Sequence, residues 1–122
     1  MPVKRFDHVL LAMPPGREAD ARAFYEGALG IPEVKKPANL VKRGGCWFEH
    51  GALKIHLGVE ADFRPARKAH PALVVAGLPA LIARFKAAGI AVCDDEPLPG
   101  YLRIDVDDPF GNRLELLEPI LG

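Results

Sequence analysis

Cysteine is scarce in this chain. Cys46 and Cys93 stand far apart and form no CxxC pair, so a disulfide framework is not expected. Both are read as reduced thiols of a cytoplasmic protein, with Cys46 as buried filler beside Trp47. An excess of charge is also missing, because sixteen basic residues face sixteen acidic ones. Nothing global draws the chain to nucleic acid or to an anionic membrane. The only local basic run, RPARK at 64–68, lacks the interleaved aromatics of a nucleic-acid groove and reads as a solvated linker. Long apolar runs are absent too. The opening MPVKRFDHVLLAM has no apolar core followed by a small-residue cleavage site. Neither a signal peptide nor a membrane span is expected.

What remains is ordinary in bulk: 122 residues, 49% of them hydrophobic, enough for one domain with a real core. FDHVLLAM, bounded by charge and by Pro14-Pro15-Gly16, reads as a strand. In READARAFYEGALG the residues Ala21, Phe24, Tyr25, Ala28 and Leu29 follow a helical stripe that Gly30 stops. This predicts a helix near 17–29. The stretch 39–60 reads as two or three short strands, broken at Gly44-Gly45 and His50-Gly51. His50 is taken as a surface residue of that second turn.

The order then repeats. HPALVVAG is a strand, and Leu78, Leu81, Ile82 and Phe85 stripe a helix near 79–88 with Gly89 at its end. YLRIDV and RLELLE are strands joined by the DDPFGN turn. An offset of 62 lays His8 on His70, and an offset of 59 lays ALGI on AAGI and His56 on Glu115. Strand, helix and strands, twice, indicate an internal duplication. The chain is read as one domain, 1–122, with module one at about 1–60 and module two at about 69–122.

Each half therefore carries a ligand-type residue in its first strand and another in its last. Three imidazoles and a carboxylate suit a divalent cation. Strand alternation puts Lys54, His56 and Gly58 on one face and Leu53, Ile55 and Leu57 on the other, and likewise opposes Glu115 to Leu114 and Leu116. A carboxylate inside an apolar strand needs a compensating partner, and a metal is one. Plainer readings stand beside this. His8 could be a lone strand histidine, His56 could lie on a wet face, and His70 could simply open a strand before Pro71. Glu115 could pair with Arg103 or Arg113.

FDHVLLAM, AHPALVV and DPFGNRLELLEP resemble, in that order, the opening strand, second-module strand and closing hairpin of the vicinal oxygen chelate superfamily. That group holds glyoxalase I, extradiol dioxygenases, fosfomycin-resistance thiol transferases and bleomycin-binding proteins. The resemblance spans nearly the whole chain. It implies an α+β fold of tandem βαβββ modules forming a cup-shaped mixed sheet with helices outside. It also implies a divalent metal (zinc, nickel, manganese or iron) on His8, His70 and Glu115. Where glyoxalase I enzymes carry a glutamate late in module one, this chain has His56, a possible fourth ligand or proton shuttle.

The expected function is a metal-dependent glyoxalase-like lyase or isomerase acting on a small oxygen-rich substrate. His56 and Glu115 are its catalytic candidates. Arg103 and Trp47 are expected in the substrate pocket, Arg103 as a grip for an anionic group or as a structural salt bridge. An extradiol-type dioxygenase and a metal-free small-molecule binder are the alternatives. A homodimer is expected, since open sheet edges and apolar surface need cover, and the resembling families are mostly dimers.

Overall fold

The computed structural model describes residues 1–121. The chain divides into two units, Met1–Pro65 and a second beginning at Ala66, so the division falls inside the RPARK stretch. Arg67 of that stretch is tied to the second unit through Asp107 at 2.7 Å and the carbonyl of Gly111 at 2.6 Å.

The first unit contains strands β1 (Val9–Met13), β2 (Glu33–Val34), β3 (Cys46–His50) and β4 (Leu53–Val59), with helix α1 (Glu18–Arg22) after β1. The sheet order is β1-β4-β3-β2, with β1 parallel to β4 and the other pairs antiparallel. The second unit contains β5 (Ala72–Val74), α2 (Leu78–Ala87), β6 (Val92–Asp94), β7 (Tyr101–Asp107) and β8 (Arg113–Pro119), in the order β5-β8-β7-β6 with the same senses. Each unit is thus a βαβββ module.

The registers agree with the duplication. Leu10 lies opposite His56 in the first unit and Ala72 opposite Glu115 in the second, reproducing both offsets at once. His8 and His70 sit just before the strands they were expected to occupy.

Alternation divides each sheet into two faces. Met13, Phe48, Ile55 and Leu57 bury one face of the first sheet, with Ala21, Phe24 and Tyr25 also in the core. In the second unit Ile104, Val106, Leu114 and Leu116 are buried, as are Leu78 and Phe85 of α2. The opposite faces carry His56 and Glu115, as period two requires.

Three local readings change. Ala38–Arg43, expected to begin a strand, is a 3₁₀ helix, while the short strands β2 and β6 carried no readable alternation. After Arg22, α1 widens into a π-helical stretch, Ala23–Ala28, in which the Leu29 amide donates to the Phe24 carbonyl at 2.9 Å. Gly45 closes the turn into β3 at φ +79°, and a Cβ there would lie 2.0 Å from the Leu57 carbonyl oxygen, so only glycine fits.

Candidate metal centre and pocket

In the second unit Glu115 is buried and held from both sides. Its Oε1 lies 3.1 Å from His70 Nε2, and its Oε2 accepts from Arg103 Nη1 at 3.3 Å. The His70 Nδ1 lies 2.7 Å from the carbonyl of Lys68. A carbonyl only accepts, so Nδ1 carries a proton. In neutral imidazole Nε2 then holds a lone pair that faces a carboxylate oxygen. Two acceptors at that distance repel unless a proton or a metal cation lies between them.

Arg103 belongs to a row of charges. Its Nη2 meets Asp95 at 3.2 Å, and Arg113 Nη2 reaches both Asp95 and Asp105 at 2.9 Å. Arg103 therefore forms a salt bridge to Glu115. Burial, then the neighbouring Asp95, pushes the Asp105 carboxyl above the usual range. Asp95 is held below it, chiefly by the Glu96 amide. Arg103 Nε and Arg113 Nε remain buried with no hydrogen-bond partner among the described residues.

The first unit holds the other two histidines. His8 Nδ1 lies 3.0 Å from Asp7 Oδ2, a carboxylate that accepts, so Nδ1 donates and Nε2 keeps its lone pair. The Asp7 carboxyl is lowered by this bond and next by Lys54. The duplicated histidines His8 and His70 thus share one tautomer, each fixed from behind through Nδ1 as metal-binding imidazoles usually are. His56 has the opposite arrangement. Its Nε2 donates to Glu49 Oε2 at 2.7 Å, leaving the lone pair on Nδ1.

His56 is buried in a stack of rings. Trp47 lies 3.9 Å away, centroid to centroid, at 2° from parallel, and His8 covers the other side at 4.3 Å and 21°. The lone pairs of stacked rings run in nearly parallel planes. As placed, His8 and His56 do not converge on one ion. Sequence reasoning missed Glu49, whose place opposite Lys54 at the turn end of β3 gave no hint that it would reach His56.

The first unit therefore brings His8, His56 and Trp47 together, and the second brings His70, Glu115 and Arg103 together. Among the described residues no three His, Cys, Asp or Glu side chains cluster as a ready metal site. Within the second unit the donor chemistry nonetheless suits a divalent ion: an imidazole whose Nδ1 is committed to a carbonyl, with a carboxylate beside its Nε2. No helix is long and apolar enough to cross a membrane among the described residues.

Two four-stranded sheets built as repeated βαβββ units, with histidines at equivalent openings and a buried glutamate in the last strand, define a glyoxalase-like protein. A crystal structure of a glyoxalase family protein from Bacillus anthracis is 46% identical over 97% of both chains, with a TM-score of 0.93. The chain belongs to the glyoxalase family, within the vicinal oxygen chelate superfamily. A glyoxalase/dioxygenase from Nostoc punctiforme shares the fold at 17% identity, covering 98% of this chain and 94% of that one, with a TM-score of 0.81. The fosfomycin resistance protein FosX of Listeria monocytogenes does so at 16% identity over 98% and 94%, with a TM-score of 0.72. No protein-family model matches the chain, and no match to a curated protein was found.

Proposed function

We propose that this protein is a metal-dependent glyoxalase-like lyase or isomerase acting on a small molecule with adjacent oxygens. His8, His70 and Glu115 would hold the ion. One observation carries the reading: His70 Nε2 lies 3.1 Å from Glu115 Oε1 while Nδ1 is committed to the Lys68 carbonyl. A divalent cation would supply Lewis-acid polarisation of a bound carbonyl and stabilise developing negative charge on oxygen.

The chain's own groups then have distinct tasks. Asp7 and the Lys68 carbonyl keep His8 and His70 in the ligating tautomer. Arg103 holds Glu115 through its second oxygen. Trp47 and His56 form a flat wall, and Trp47 is a pocket residue in this reading. With Nε2–H given to Glu49, His56 Nδ1 is the atom able to take a proton from substrate and return it. His56 is assigned this role in preference to that of a fourth ligand, because of the stacking with His8. The protein is taken to work as a homodimer. Phe6 and Val74, at 89% and 70% exposed, are apolar surface that a partner would cover.

Metal content decides the matter. The purified protein, stripped and reloaded with zinc, nickel, manganese or iron(II), should take up one ion per chain. Glu115→Gln and His8→Ala should each lose at least about tenfold in affinity, whereas His56→Phe should keep it. No uptake by the parent, or Glu115→Gln binding as tightly as the parent, sinks the ligand assignment. Loss of metal in His56→Phe would restore His56 as a ligand.

A further inference from the structure

We infer that the first unit holds a recognition site for a small organic anion with an apolar body. A cleft of about 690 Å³ opens on the polar face of its sheet, lined by residues of that unit alone. Three cations, Lys36, Arg43 and Lys54, line it against two carboxylates, Asp7 and Glu49. Both carboxylates are already engaged: Asp7 by His8 at 3.0 Å and Lys54 at 3.8 Å, Glu49 by His56 at 2.7 Å. The Lys36 ammonium meets the Gly44 carbonyl, a neutral acceptor, and forms no ion pair among the described residues. Arg43 is exposed and has no partner among the described residues. In a chain of zero formal net charge, this local excess is a property of the cleft.

The rest of the lining sets the remainder of the ligand. Leu10 is 61% exposed on the same face, although it sits within a strand. It lies against Gly58, where an added Cβ would come within 3.2 Å of Leu10 Cδ1. The missing side chain at Gly58 lets Leu10 lie flat beside the Trp47–His56 stack. An exposed leucine and a tryptophan next to unpaired cations complement a carboxylate, or another compact oxyanion, attached to an aryl or alkyl group. The guanidinium of Arg43 is the better of the three for planar two-point recognition of a carboxylate.

This extends the function proposed above by giving its substrate a charge, and the test is arranged so that the two can fail separately. The protein contains one tryptophan, and it lies in the cleft wall, so intrinsic fluorescence reports occupancy. The full chain is stripped of metal, the chelator is dialysed away, and phenylacetate is titrated against its neutral counterpart phenylacetamide. Phenylacetate should give a saturable change and bind about tenfold more tightly than the amide, the worth of a charge-assisted bond. The preference should shrink as salt rises, and Arg43→Gln or Lys36→Gln should abolish it. Arg43 is exposed, so its variant tests recognition without threatening the fold. Equal binding of acid and amide, unchanged selectivity in both variants, or no saturable signal overturns the inference. Metal uptake, measured independently, stands or falls without it.

Discussion

Removing the Asp108 side chain should destabilise the hairpin that carries Glu115 far more than a turn residue ordinarily would. Asp108 is buried and accepts three hydrogen bonds, each at 2.9 Å: Oδ1 from the amides of Phe110 and Asn112, and Oδ2 from Asn112 Nδ2. Asn112, 1% exposed, in turn accepts from the Ala66 amide at 3.0 Å. Bonds to a charged group contribute about 1.5–3 kcal/mol each but do not add fully. In Asp108→Ala, at least two buried donors also lose their partner. The expected loss is about 4 kcal/mol, a large share of the roughly 5–15 kcal/mol that stabilises a typical domain. Asp108→Asn keeps one acceptor oxygen for the two amides but turns an amide group toward Asn112 Nδ2, and should cost about half as much. Urea unfolding followed by circular dichroism measures both. A loss below about 1 kcal/mol for Asp108→Ala would show that the turn geometry, and not the carboxylate, holds the hairpin.

The two thiols should behave oppositely. Cys93 is exposed and should react with a disulfide reagent in the native protein at pH 8, while Cys46 should react only on unfolding. Burial pushes the Cys46 thiol up to about 11 from 9.0, so its protonated form favours the folded state: stability is intact below pH 9 and falls by up to about 3 kcal/mol as pH rises past 11. A native protein that titrates two thiols at pH 8, or is as stable at pH 11 as at pH 8, would contradict this. Light scattering at micromolar concentration should give the mass of a dimer, about twice 13.2 kDa, and a monomer would remove the dimer from the proposal.

The repeat was legible because its signal is redundant. The His8–His70 and His56–Glu115 offsets were readable from letters alone, and the registers Leu10–His56 and Ala72–Glu115 obey both. Helix α2, expected near 79–88, runs Leu78–Ala87, since its stripe and terminal glycine are local features. The face carrying His56 and Glu115 followed from alternation. Their partners did not. Glu49 reaching His56, and Asp95 bridging two arginines, depend on which strands pair and in what register, and long-range pairing leaves no periodic trace. The two-residue strand β2 is too short to alternate. The 3₁₀ helix at Ala38–Arg43 follows Pro37 in a stretch whose scattered apolar residues fit either period.

The wide turn in the first helix has a further meaning when the modules are counted against each other. From the residue before the helix to the glycine that stops it, the first copy runs from Arg17 to Gly30 and the second from Gly77 to Gly89, a span one residue shorter. The surplus residue lies within the helix, where the chain swells from α to π around Ala23–Ala28 and leaves Phe24 and Tyr25, neighbours in sequence, both buried. The bulge is therefore a seam. It takes up one of the three residues by which the offset between the copies falls, from 62 at the first strand to 59 at the glycine that stops the helix. Anyone grafting the second helix into the first position would have to leave that residue out, and the graft would then run as unbroken α-helix.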